Sequence, residues 1–221
     1  MTGCVALLGG SFDPVHRGHV ALAGIFSRLL RPDELRILPA GQPWQKAGLQ
    51  AGDRDRVAML ELAFGDAGFP VTIDTREIVR KTPTFTVETL RGLRAELGPA
   101  TSIVFLMGAD QLQQLDSWRD WHSLFELANF GVAARPGYRL DAAALPPEVA
   151  HELAAREAKP EAVRASPAGR VCLAQSLAVD ISATQVRQAL RAGAGADEGD
   201  LSALLPPQVL DYIQQHNLYK S

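Results

Sequence analysis

Cysteine is nearly absent from the chain: two in 221 residues, Cys4 and Cys172, with no CxxC pair and no Cys/His cluster. That spacing excludes a disulfide scaffold or a zinc finger and fits a reduced, cytoplasmic setting. No run approaches the roughly 18 consecutive apolar residues of a membrane-spanning helix. The first basic residue, Arg17, follows the apolar run at 5–8, which is the wrong order for a secretory leader. Neither sign of charge dominates, with 22 Lys+Arg against 25 Asp+Glu and a net charge of −3. A bulk electrostatic grip on nucleic acid or on an anionic membrane is therefore not expected, and the balance leaves room for a local basic pocket. Familiar nucleotide and hydrolase signatures are missing as well. There is no GxxxxGK[ST] string and hence no P-loop, no GxGxxG dinucleotide fingerprint, and Ser11 does not sit in a GxSxG elbow.

What is present is enough apolar material, 47 % of residues against 21 % charged, to bury a sizeable core. At about 150 residues per domain, the length suits one domain over 1–221, with 182–221 as a helical C-terminal part. Short β-rich runs at 4–8, 34–38, 71–74, 102–107, 130–134 and 171–179 predict strands. Helical patterns fall at 17–30, 54–64 (with Asp53 as its cap), 84–97, 119–127, 148–157, 182–191 and 207–216. Residues 40–52 hold three glycines and Pro43 and read as a loop, and the Gly/Ala/acid-rich segment 193–200 reads as a mobile connection. Such alternation predicts an α/β fold, Rossmann-like and doubly wound, with a mostly parallel sheet covered by helices on both faces. Ligands then belong at the carboxyl ends of the strands, near the switch in strand order.

The first loop at that edge is Gly9-Gly10-Ser11-Phe12-Asp13-Pro14-Val15-His16-Arg17-Gly18-His19. Its glycines permit a sharp turn and present N–H groups to an anion, and the following helix adds its positive end. His16 and His19, three residues apart, face one side of a first helical turn. Gly18 between them leaves room for a flat base or sugar near the backbone. Asp13-Pro14 reads as a turn element, not a base. A second string, Ile181-Ser182-Ala183-Thr184-Gln185-Val186-Arg187, opens a helix with a Ser182/Gln185 capping box. Alone it is an ordinary capped helix. Paired with the histidine loop, it offers Ser182, Thr184 and Arg187 to phosphate oxygens. Cys4 and Cys172 fall in predicted strands and read as inert core.

These two strings, in this order, resemble the nucleotidyltransferase superfamily with its HxGH and ISSTxxR-like motifs. With Gly108-Ala109-Asp110, Trp118 ten residues after that glycine, and Ala134-Arg135-Pro136-Gly137-Tyr138, the chain is similar over its whole length to the bacterial nicotinate-mononucleotide adenylyltransferases. The resemblance implies adenylyl transfer from ATP to nicotinate mononucleotide, with release of pyrophosphate and no covalent intermediate. It assigns His16 and His19 to the α/β-phosphate charge, and Ser182, Thr184 and Arg187 to the β/γ-phosphates. The backbone of Gly9, Gly10, Ser11 and Phe12 would face the nucleotides, and Lys46 and Arg135 become further ATP contacts. On the acceptor side it implies that Trp118 stacks on the pyridine ring, with Trp121 as competitor. Backbone N–H groups near Thr86 and Arg119 would receive the carboxylate, and Asp110 would hold a ribose hydroxyl or cap a helix. Mg²⁺ would arrive bound mainly through ATP, with no dedicated metal site in the protein. Small molecules are then the partners, not nucleic acid or membrane, and nothing in the sequence indicates an oligomeric state. One departure stands out: relatives often carry His-Lys or His-Arg in the 39–46 loop, and here Gln45 precedes Lys46. The alternatives are a phosphopantetheine adenylyltransferase, a cytidylyltransferase, or a nucleotide-binding regulator without turnover. A class I tRNA-synthetase fragment would need a basic face that this charge balance hardly supplies.

Overall fold

The structure is a computed structural model that describes residues 3–42, 48–80, 82–134, 144–174, 181–192 and 198–220. Six parallel strands form one sheet in the order β3-β2-β1-β4-β5-β6. They are β1 (Cys4–Gly10), β2 (Glu34–Pro39), β3 (Val71–Ile73), β4 (Ser102–Gly108), β5 (Asn129–Ala133) and β6 (Val171–Ala174). The chain builds outward from β1 to β3, then returns to the other side of β1 and builds outward again. The order therefore switches between β1 and β4, where Val5 lies opposite Ile103 and Leu8 opposite Leu106. In such sheets the crevice at the carboxyl ends of the switch strands is where ligands bind.

Each central strand is buried on both faces, and alternate residues feed two cores. Cys4, Ala6, Leu8, Val104 and Leu106 point to one side, under α1 (Arg17–Leu30), α2 (Asp53–Phe64) and α8 (Pro160–Ala165). Val5, Leu7, Ile103, Phe105 and Met107 point to the other, under α4 (Thr86–Leu97), α6 (Trp121–Leu127) and α7 (Pro147–Arg156). A fully buried Leu or Phe contributes about 1.5–3 kcal/mol of transfer free energy, so these two layers fix the strand register. Both cysteines are buried, and burial raises their thiols above the ordinary range, as inert core cysteines require.

Most predicted elements lie within a residue or two of those observed. Several differ for physical reasons. Helix α2 is capped by Gly52, and Asp53 is its first residue, turned instead onto Arg56. The pattern expected from 84 becomes helical at Thr86, because Thr84 and Phe85 lead in as extended chain. Residues 109–112 form a one-turn helix, α5 (Ala109–Leu112), and α3 (Arg76–Val79) follows β3. Helix α8 was unpredicted, although Pro160 at its first position is a start signal. Within the expected 193–200 connection, Glu198 already opens α10 (Glu198–Leu204), while 193–197 lie outside the described residues, as does the expected end of the last strand at 175–179. Helices α9 (Ala183–Arg191) and α11 (Pro207–Gln215) complete the order. Among the described residues no helix is long and apolar enough to cross a membrane.

Candidate active site

The carboxyl ends of β1 and β4 open into a cavity of about 320 Å³, within the usual range for small-molecule sites. Its floor is Gly9, Gly10 and Phe105 to Gly108. Three helices of 14, 12 and 9 residues begin at its wall, capped by His16 (α1), Phe85 (α4) and Ser182 (α9). Orphan N–H groups and the positive dipole ends at these helix starts offer donors to an anion beside the lining carboxylates Glu77 and Asp110.

His16 caps α1, and its backbone N–H donates to Nδ1 of His19 at 3.2 Å. The two imidazole centroids are 3.7 Å apart, and the Phe12 ring meets His19 edge-on at 4.9 Å. Phe12 itself is turned into the core and fully buried, with a left-handed backbone (φ 47°). Its side chain is therefore packing for His19 and not part of the cavity wall. Gly18 has a different use from the one expected. A Cβ there would lie 3.0 Å from the His16 ring and 3.4 Å from the Ile181 carbonyl oxygen, so the missing side chain lets the second motif dock on the first. The capping box of α9 is present, with Ser182 Oγ accepting the Gln185 N–H at 3.3 Å and the Ser182 N–H donating to Gln185 Oε1 at 2.7 Å.

The cavity brings together Gly9, Gly10, Ser11, His16, His19, Thr86, Asp110, Trp118 and Ser182 from the sequence-derived set. Four others stand apart from its lining. Phe12 is core, as described. Arg187 donates to the Asp13 carbonyl oxygen at 2.7 Å and to Thr184 Oγ1 at 3.3 Å, so both sit behind the histidine loop. Arg119 is well exposed, lying over the Phe85 ring at 4.6 Å with Glu88 at 3.6 Å. Lys46, Gln45, Arg135 and residues 136–138 fall outside the described residues.

The two tryptophans separate cleanly. Trp121, the first residue of α6, is 7 % exposed and packs in the core with residues of α4. Trp118 is half-buried on the cavity wall, edge-on to Phe105 at 6.1 Å, and its Nε1 is buried without a hydrogen-bond partner among the described residues. Sequence reasoning missed Glu77, Thr84 and Gln111, which also line the cavity. Glu77 accepts from Thr89 Oγ1 at 2.7 Å, and burial pushes its carboxyl above the usual glutamate range. No local pattern marks it, since it stands in the ordinary string Thr75-Arg76-Glu77. Among the described residues no group of three or more His, Cys, Asp or Glu is placed to hold a metal ion.

A parallel sheet in this order, with a glycine-histidine loop at its switch and helix N-termini around it, defines a nucleotidyltransferase of the Rossmann-like class. The cytidylyltransferase-like family matches residues 7–189. A protein of Herminiimonas arsenicoxydans named "Probable nicotinate-nucleotide adenylyltransferase" is 55 % identical over 221 residues, covering 100 % of this chain and 99 % of that one. One of the same name from Laribacter hongkongensis is 46 % identical over 218 residues, covering 98 % and 94 %. The chain belongs to the nicotinate-nucleotide adenylyltransferase family, enzymes of NAD biosynthesis that use ATP. The fold is also that of the Plasmodium falciparum nicotinic acid mononucleotide adenylyltransferase complexed with NaAD, with a TM-score of 0.75, 19 % identity, and coverage of 98 % and 97 %.

Proposed function

We propose that the β1–β4 cavity carries out this family's reaction directly, moving AMP from ATP to nicotinate mononucleotide. An acceptor phosphate oxygen forms a bond to the α-phosphorus as the bond to the bridging α–β oxygen breaks. Pyrophosphate leaves with the electron pair, and deamido-NAD is formed. The observation that carries the reading is the convergence of three helix N-termini on one cavity with two closely spaced histidines on its wall. Such a site has no strong nucleophile to offer, so its contribution is positioning and charge neutralisation.

His16 and His19 are assigned to the charge that grows on the α- and β-phosphates. The residue 9–11 backbone and the Ser182 cap face the nucleotide. Thr184 and Arg187 are assigned to the terminal phosphates, with Lys46 and Arg135 as further contacts. Trp118 takes the pyridine ring on its face, while the first N–H groups of α4 at Thr86, with the backbone at Arg119, receive the carboxylate. Asp110 holds a ribose hydroxyl. Mg²⁺ would be carried by ATP with few ligands from the protein, and when bound it would supply neutralisation of polyphosphate charge. The lining carboxylates among the described residues, Asp110 and Glu77, are too few for a protein cage and fit an ion carried by its nucleotide. We place the enzyme in the cytoplasm, acting as one domain on small molecules.

Pyrophosphate release tests the reading. ATP with nicotinate mononucleotide is expected to turn over well above ATP with phosphopantetheine and above CTP with either acceptor. Faster turnover of phosphopantetheine or of CTP would replace the proposal, and no turnover with any pair would leave a binding protein.

A further inference from the structure

The loop that carries His16 and His19 is held from behind by three side chains distant in sequence. Arg56 on α2, fully buried, donates Nη1 to the Ser11 carbonyl oxygen at 2.8 Å. Arg187 on α9 donates Nη1 to the Asp13 carbonyl oxygen at 2.7 Å. Tyr219, in the segment after α11, donates its phenol to Asp13 Oδ1 at 2.8 Å. The same Asp13 carboxylate accepts the backbone N–H groups of Gln50 at 2.8 Å and Ala51 at 3.0 Å. Asp13 is 4 % exposed and Tyr219 6 %. Neither lines the cavity.

A carboxylate removed from water needs its donors, because an unmet charged acceptor costs more than an ordinary hydrogen bond returns. Asp13 has three, and they come from two segments: two backbone groups ahead of α2 and one phenol from beyond α11. Tyr219 also enters the apolar cluster with Phe12, Val15 and Val186, so ring and hydroxyl are both fixed. The phenol is held as a donor, since burial first and the Asp13 carboxylate second raise its pKa. Three residues beyond Asp13 the chain reaches His16, whose N–H holds the His19 ring. Asp13 therefore belongs to the same short segment that carries both imidazoles.

We infer that Tyr219 is a positioning residue for nucleotidyl transfer: through Asp13 it sets the loop that aims His16 and His19. The inference rests on the reading of the cavity as the transfer site. Tyr219→Phe removes only the hydroxyl. It is expected to lower kcat roughly tenfold, the scale for one unmet buried charged acceptor. The KM for nicotinate mononucleotide, held on the far wall, stays as in the parent. Amide hydrogen exchange is expected to speed up at Gln50, Ala51 and residues 16–20 while α4 keeps the parent's rates. Tyr212→Phe is the control, since it removes a phenol–carboxylate bond to Asp55 at 3.0 Å that ties α11 to α2 without touching the loop. It should keep the parent's kcat.

A Tyr219→Phe enzyme with the parent's kcat or the parent's loop exchange overturns the inference, and so does an equal loss of kcat in Tyr212→Phe. If Tyr219→Phe does not accumulate folded, Asp13→Asn is read by the same two measurements with the same expected losses, and normal values there overturn it. A parent protein that releases no pyrophosphate would defeat the functional reading instead, and loop exchange would still decide whether Tyr219 holds the loop.

Discussion

The backbone N–H of His16 donates to Nδ1 of His19 at 3.2 Å, with the two rings 3.7 Å apart. A ring nitrogen that accepts carries no proton, so neutral His19 holds its hydrogen on Nε2 and presents a donor there. His19→Ala removes a donor aimed before the reaction starts. It should lower kcat by roughly 10²–10³-fold, with a much smaller change in the KM for ATP. Steady-state kinetics with both substrates varied checks this, and an unchanged kcat would remove His19 from the mechanism.

Gly18→Ala tests how the two motifs meet. The new methyl would sit 3.0 Å from the His16 ring, and the Ile181 carbonyl, 3.4 Å away, blocks the other direction. The ring has to give way, because backbone at the start of α9 cannot. Loss of kcat by about one to two orders of magnitude is expected, with a small change in melting temperature. A crystal structure of the variant should show His16 displaced. Full activity with an unmoved His16 would refute the packing argument.

Arg187 stands behind the loop, bonded to the Asp13 carbonyl, while its proposed ligand is a phosphate at the front. A guanidinium has five donors in a fork, enough for both. Arg187→Ala should weaken ATP by about 1.5–3 kcal/mol if a phosphate contact is lost. Titration calorimetry with ATP reads this directly. An unchanged ATP affinity together with a reduced kcat would assign Arg187 to the loop alone.

Glu77 predicts a dependence of stability on pH. Burial raises its carboxyl above the usual 4.5, against the Thr89 hydroxyl bond and the nearby Arg80 and Arg76, with Asp74 reinforcing the rise. The folded chain therefore holds this proton more tightly than the unfolded chain. Below the unfolded value both states are protonated and Glu77 adds no pH dependence. As pH rises towards and through the folded value, the unfolded chain ionises first and stability is lost. Glu77→Gln, which keeps the volume and an acceptor for Thr89, should melt with the parent below about pH 4 and above it near pH 7. Melting curves across that range check the sign. A variant less stable than the parent at neutral pH would mean that Glu77 is ionised and usefully paired.

The sheet and the front of the site were legible because their signals are local. The runs at 4–8 and 102–107 are too short for helices and end in glycine, and Ser182 with Gln185 spells its cap in four residues. The supports behind the site were not legible, because they depend on contacts across the fold. Arg56 sits in the charged string Asp53-Arg54-Asp55-Arg56, which reads as a solvated face, yet it is fully buried on a carbonyl 45 residues away. Asp13 read correctly as a shaping residue, but nothing in its neighbourhood names Gln50, Ala51 or Tyr219 as its partners. Phe12 and Arg119 were placed by motif for their backbone, and motif position does not say that the Phe12 ring turns into the core or that the Arg119 side chain lies over Phe85.

The acceptor side gives the sharpest substrate prediction. Nicotinate and nicotinamide share a ring and nearly a shape, and differ in that one carries an anionic carboxylate and the other a neutral amide. The Trp118 face cannot tell them apart, since stacking reads area and polarisability. Discrimination has to come from the donors beside it, and the 12-residue helix α4 begins there at Thr86 with no side-chain cap on its first N–H groups. Those N–H groups and the helix dipole favour a carboxylate, whereas the NH₂ of an amide turns a donor towards donors. A preference of at least about 10²-fold in kcat/KM for nicotinate mononucleotide is expected, the scale on which a hydrogen-bonding site rejects an analogue that leaves its groups unmet. Trp118→Ala should raise the KM for both acceptors and leave their ratio within about threefold, because the carboxylate donors remain. Trp118→Phe, which keeps a ring over the site, should restore most of the loss. Equal kcat/KM for the two acceptors in the parent enzyme would defeat the donor argument. An unaltered acceptor KM in Trp118→Ala would move the ring elsewhere on the wall, with Phe105 the next aromatic side chain lining the cavity.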